Sequence, residues 1–258
     1  MRRGLLCLAF APWFFPDSRR AYSPGDSKPP DRFVRRLTIG FCLVALVLGA
    51  LEAWTSRCEM NPDGIQYLDK PSAYRQGDFR DALNPQWSPL YPWPIAGAEA
   101  MVHPSREQEC ALVHAVNFTL FAASIASFFF FLKSMPSPAS TSFLLVSYAA
   151  FLYCSLDFTH LRYVTLDLLV NCFAFIVAGL LARMSNGDAT LRHHTALGLA
   201  LAVGYFAKAP FLPIAVVCLF LAFLVGRKRA LISIGVFLCL TVLTTPLFRS
   251  QTSLHTRR

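Results

Sequence analysis

The chain has 258 residues, 55% of them hydrophobic, a mean hydropathy of +0.45 and only 15% charged residues, against about 25% in soluble domains. The apolar residues come in blocks rather than on amphipathic faces, which excludes a soluble globular domain. The formal charge of +9 is not the footprint of a nucleic-acid binder, because the basic residues stand at the ends of the apolar blocks, as in membrane proteins.

Met1 to Phe15 opens with two arginines and a short apolar run, as a signal peptide does, but Pro12 interrupts the run and no small-residue cleavage site follows. Residues 1–36 instead predict a basic, disordered cytoplasmic tail, rich in Pro, Ser and Arg over 16–36. Seven apolar segments follow, near 38–55, 110–132, 139–156, 163–182, 195–207, 209–226 and 230–248. Most approach the roughly 20 residues that cross a hydrocarbon core as a helix. They predict an all-α, multi-pass transmembrane bundle of about seven spans over 37–248, with a short tail at 249–258.

Arg32, Arg35 and Arg36, then Lys133, Arg183 and Arg192, then Arg227, Lys228 and Arg229 fall on one side of such a bundle. The positive-inside rule makes that side cytoplasmic, together with the N-terminus. Residues 56–109 then form a long extracytoplasmic loop, in which eight acids outnumber five bases. Connections between membrane helices need only a few residues, and a long loop held at a surface is a natural place for chemistry.

Within that loop a short juxtamembrane helix is predicted over Ile65–Arg75, with Ile65, Leu68 and Ser72 on one face and Pro71 kinking or dividing it. Asn61 or Asp63 is positioned to cap it; the functional reading of Asp63 is a carboxylate acting as general base or as ligand to a divalent metal. Asp69, Asp78 and Asp81 are either solvated or catalytic, and Gly77-Asp78 reads as a turn followed by a helix cap. Trp87, Tyr91 and Trp93, in WSPLYPWP, read as interfacial anchors or as the lining of a groove for a lipid or sugar ring.

Eight cysteines lack any CxxC or Cys/His ligand spacing. Cys42, Cys172, Cys218 and Cys239 lie inside spans as small apolar residues. Cys58 and Cys110 bracket the outer loop, either as a disulfide or as two unrelated thiols. Asn117-Phe118-Thr119 matches a glycosylation acceptor but falls within a span. His103, His193, His194 and His255 have no metal-type spacing, and no phosphate loop or nucleophile elbow occurs.

Asp167 opens the fourth span, just after His160 and Arg162, as a functional ionisable group or as half of an Asp–Arg pair. Residues 195–226 are predicted to be two helices turning at Lys208–Pro210, since a single helix would hold Lys208 in mid-bilayer at a cost of roughly 2.5–3.5 kcal/mol. Asp63, Asp167 and Lys208 are thereby expected on one side of the membrane. Seven spans put the C-terminal tail outside, where Arg249, Arg257 and Arg258 sit uneasily, and the chain reads as the front portion of a longer protein.

The loop motifs, DGIQYLD and YRQGDFRDALNPQWSPLYPW, resemble the first outer loop of bacterial membrane glycosyltransferases of the C superfamily, similar to protein O-mannosyltransferases and to lipid A aminoarabinose transferases. RYVTLDLLV resembles the family's fourth-span entry and GYFAKAPFLPIA its Gly-x-x-x-Lys turn. The resemblance covers roughly 38–248. It implies transfer of a sugar from a polyprenyl-phosphate donor to an acceptor hydroxyl at the outer face of the bacterial inner membrane. In that scheme Asp63 is the catalytic carboxylate, Lys208 meets the lipid phosphate, and Asp167, Tyr67, Asp78, Trp87 and Tyr91 contact substrate. Many relatives carry Pro-Asp where Leu166-Asp167 stand here, and they are about twice as long. The other class open to this sequence is a non-enzymatic bundle: a transporter, whose charges are expected near mid-bilayer, or an inactive transferase portion.

Overall fold

The computed structural model describes residues 32–76, 88, 90–135, 140–158 and 161–252. Among these there are helices and no strands. In chain order they are α1 (Arg32–Thr55), α2 (Pro62–Gln76), α3 (Pro92–Val102), α4 (Arg106–Lys133), α5 (Thr141–Leu152, continued by a π-helical turn Tyr153–Phe158), α6 (Asp167–Ser185), α7 (Leu191–Ala207), α8 (Phe211–Val225) and α9 (Arg227–Thr252). Residues 1–38 and 39–258 form two compact units. Of the first, only the opening of α1 is described, where the Thr38 hydroxyl donates to Val34 O at 2.9 Å. All that follows concerns the second.

Four helices are long and apolar enough to cross a bilayer: α1, α4, α5 with its π-helical turn, and α6. Helix α8 is as apolar but has 15 residues. The local signals that end these helices are in the sequence. Ser105 precedes α4 and its backbone N–H donates to the Gln108 side chain at 3.2 Å, half of a capping box. His103 closes α3 in the left-handed conformation, φ 50°, and Gly187 follows α6 at φ 99°, where a side chain would be strained. Thr190 caps α7 through the His193 N–H.

Two apolar centres hold the unit. The larger joins α6 to α9 and includes Leu180, Met184, Leu197, Leu201, Phe211 and Phe237. The second lies under the loop helices and combines Tyr67, Tyr91, Ile95, Val113, Val116, Val164 and Leu166. Between α1, α4 and α5 the rings interleave: Phe41 stacks on Tyr148 at 4.2 Å and Phe128 on Phe151 at 4.7 Å. In a lipid environment such packing, rather than water exclusion, is the main attraction between helices. On the outside, Leu43, Val47, Leu51, Val216, Val217 and Phe220 are exposed, as an acyl-chain surface requires.

Three local expectations are corrected. Helix α2 is a single element that continues through Pro71, so the proline does not divide it, although its missing N–H removes a helical bond at a cost of about 3 kcal/mol; Pro71 is buried, and α2 packs on α3. Its buried face carries Gly64, Tyr67, Lys70, Pro71 and Ala73, whereas Ile65 is 53% exposed, so the face is rotated from the Ile65–Leu68–Ser72 stripe because Tyr67 is the residue that meets the core. Asp63 is not the cap, since it is the second residue of the helix and lies inside its first turn.

Candidate functional site

Helix α1 ends in a tight turn that is docked on α4. Ser56 donates through N–H to Glu52 O at 3.0 Å and through its hydroxyl to the same oxygen at 2.6 Å. The Glu59 carbonyl accepts from His114 Nε2 at 2.9 Å, which makes Nε2 the protonated nitrogen of a fully buried ring. Two residues on, Asn61 accepts the Gly64 N–H on its main-chain oxygen at 2.9 Å and so starts α2. Its side chain leaves the helix. Asn61 Oδ1 accepts the Val164 N–H at 2.9 Å and Nδ2 donates to Val164 O at 3.5 Å. Gly64 is required at this crossing, because a Cβ there would stand 2.8 Å from Asn61 Oδ1 and 2.8 Å from Val164 Cβ.

The segment 161–166, between α5 and α6, has no regular ladder, so its buried polar atoms need other partners. Three side chains from three elements supply them. Glu52 Oε1 accepts the Arg162 N–H at 3.2 Å. Asn61 pairs with both polar groups of Val164. Asn117, fully buried in the middle of α4, donates to Tyr163 O at 2.9 Å and to Leu161 O at 3.4 Å. The remaining side of the Asn117 amide accepts the Tyr91 hydroxyl at 2.5 Å. Tyr91 in turn meets the Tyr67 ring edge-to-face at 5.0 Å. The segment from α1 to α3 and the entry to α6 are therefore tied together through Asn61, Tyr91 and Asn117.

That entry delivers Asp167 as the first residue of α6. Across from it α7 ends: Lys208 is extended (φ −157°, ψ 123°) while its N–H still bonds Gly204 O at 3.1 Å. Ala209 and Pro210 then turn the chain, and the Lys208 carbonyl accepts from Phe211 N at 2.8 Å. Gly204 admits this turn, since a Cβ there would come within 2.5 Å of the Phe211 ring. The Gly-x-x-x-Lys spacing thus has a mechanical meaning. Lys208 Nζ donates to Asp167 Oδ1 at 2.6 Å, with the two side chains 41% and 35% exposed. An acid at a helix N-terminus and a base at a C-terminus also suit the helix dipoles. Ser88, from the aromatic-proline run, donates to Phe206 O two residues before the lysine.

Asp63 is exposed, in the first turn of α2. Burial, and then the negative charges of Asp63 and Asp167, push the Tyr67 phenol well above its ordinary range. Tyr67 therefore stays neutral, and the two carboxylates flank it. Tyr91 is pushed up in the same direction by burial and by Tyr67, against the bond to Asn117. Among the described residues no group of three or more His, Cys, Asp or Glu is placed to hold a metal ion.

Asp63, Tyr67, Asp167 and Lys208 are brought to one end of the helices. Tyr91 is not an interfacial anchor or a groove wall: it has no exposed surface, because its ring fills the space between α2 and α4. Trp93, by contrast, is 53% exposed. Asp78, Asp81 and Trp87 lie outside the described residues. Residues 195–226 do break at Lys208–Pro210 into two helices. Cys58 and Cys110 are free thiols. Sequence reading missed Glu52, Asn61, His114 and Asn117 as the residues that hold the segment together; for Glu52, His114 and Asn117 the legible signal was a polar side chain in an otherwise apolar run. No protein-family model, curated protein or solved structure matches this chain.

Proposed function

We propose that the protein is a multi-pass transferase of the bacterial inner membrane, with about seven spans and the N-terminus in the cytoplasm, which moves a sugar from a polyprenyl-phosphate donor to an acceptor hydroxyl at the outer face. The observation that carries this reading is that Asp63 and Asp167 both act on Tyr67 while Lys208 pairs with Asp167, the first residue of a membrane-length helix. An anionic lipid donor needs a cation where its phosphate leaves and a base where the acceptor loses its proton. In the proposed step the acceptor oxygen attacks the anomeric carbon and the bond from that carbon to the phosphate oxygen breaks. The electron pair stays on the phosphate, whose charge Lys208 offsets, and the acceptor proton passes to the Asp63 carboxylate. Asp167 holds the Lys208 ammonium in place until the phosphate competes for it.

The experiment uses membranes containing the full chain, supplied with polyprenyl-phosphate hexoses and pentoses labelled in the sugar. Asp63→Asn is expected to abolish label transfer while membrane insertion is unchanged. Transfer retained by that variant overturns the assignment of Asp63. The second reading, a bundle without catalysis, is favoured by one observation: Asp167 and Lys208 already satisfy each other. It predicts no label transfer by the unaltered chain with any donor.

A further inference from the structure

Cys58 and Cys110 are 52 positions apart in sequence, and the fold carries them to the same corner. Cys58 stands in the turn that follows α1, and Cys110 in the second turn of α4. Cys110 Sγ lies 3.9 Å from the carbonyl oxygen of Glu59, the residue adjoining Cys58. The corner is held rigid by the fold itself. One helical turn further along α4, His114 Nε2 donates to that same Glu59 carbonyl at 2.9 Å, and Nδ1 lies 3.4 Å from the Ser56 hydroxyl. The residues on both sides of Cys58 are therefore bound to the stretch of helix that bears Cys110. Cys58 is exposed and Cys110 half-buried, both as thiols, so an oxidant in the surrounding water has access.

We propose that Cys58 and Cys110 are a reversible redox pair, joined as a disulfide on the oxidising side of the membrane. The chemistry is exchange with a disulfide-bearing oxidant. One cysteine, as thiolate, attacks the oxidant's disulfide and expels one thiolate. The second cysteine then attacks the mixed disulfide and expels the other. Two protein thiols lose two electrons and two protons, and one oxidant disulfide becomes two thiols. The bond would join the two ends of the segment that carries α2, α3, Asp63 and Tyr67, and would fix the docking of that segment on α4 that His114 already provides. This inference goes beyond the transferase reading and does not need its chemistry, but it rests on the topology proposed with it, which puts residues 56–109 on the oxidising side.

The test uses membranes bearing the full chain, treated with oxidised glutathione, denatured, and alkylated with a maleimide–polyethylene glycol that shifts mobility once per free thiol. Of the eight cysteines, two are expected to become resistant to labelling, with full labelling restored by dithiothreitol. Mass spectrometry is expected to find the peptides of Cys58 and Cys110 linked. In C58S and in C110S the remaining cysteine of the pair is expected to stop at the mixed disulfide, found by mass spectrometry as one added glutathione with no link to another cysteine. An unchanged number of labelled thiols in the unaltered chain, or a link joining either cysteine to a different one such as Cys154, overturns the pairing. Because the decisive readout comes from the unaltered chain, a folding defect in either variant does not obscure it.

Discussion

Asn117 shows how much a single residue can organise in an apolar setting. One amide serves Tyr91, Leu161 and Tyr163 at once, and Tyr91 and Leu161 are fully buried. Removing a partner from buried polar groups costs roughly 1–3 kcal/mol for each group left unsatisfied. Asn117→Ala should therefore lower stability by about 3 kcal/mol, as read by thermal unfolding in detergent; a loss below about 1 kcal/mol would mean that the segment 161–166 has other support. Lys208 and Asp167 are a different case. Their side chains are 41% and 35% exposed, and at such exposure an ion pair adds little to stability. Their closeness matters more for where charge is held than for folding. The tyrosines illustrate a third effect: Tyr67 stays protonated because burial and two neighbouring carboxylates all oppose its ionisation, so it offers the site a neutral phenol.

At the scale of elements, the segment from Ser56 to Gly64 sets the register of the site. It leaves α1, is gripped by His114, crosses Val164 through Asn61 and turns into α2. Gly64 makes the crossing possible, because a Cβ would meet Met60 Sδ at 2.5 Å as well as Asn61 and Val164 at 2.8 Å. The methionine end can move, but the other two contacts are fixed by hydrogen bonds. Gly64→Ala is expected to cost about 1–3 kcal/mol, the range of other overpacked substitutions, and to increase amide hydrogen exchange at Val164, whose bond to Asn61 must loosen. Exchange at Val164 unchanged from the parent would show that the crossing relaxes elsewhere. The Gly-x-x-x-Lys turn was visible in the sequence as a spacing. Its reason was not, because the ring that fills the Gly204 position, Phe211, belongs to the next helix.

At the scale of the whole molecule, the proposed arrangement puts positions 63, 167 and 208 on the outer face and positions 133 and 192 on the cytoplasmic face. Single cysteines placed there in an otherwise cysteine-free chain should react with a membrane-impermeant maleimide from the outside at the first three and only after permeabilisation at the last two. The reverse pattern would overturn both the topology and the side on which chemistry is proposed. The sequence by itself determined that the chain is helical and membrane-embedded, that residues 195–226 turn at Lys208, and that one stretch between α1 and α4 carries polar and acidic residues. These follow from composition and from local steric rules, which act within a few residues. Only the tertiary structure decided that Tyr91 belongs to the core, that helix α2 survives Pro71 with Tyr67 facing inward, and that Asp167 pairs with Lys208. It also decided that Asn61, Glu52 and Asn117 hold the entry to α6 and that Cys58 and Cys110 share a corner. The partners in these contacts lie between 24 and 110 positions apart, so no local pattern encodes them; they arise when buried polar atoms and large rings must find partners inside a packed bundle.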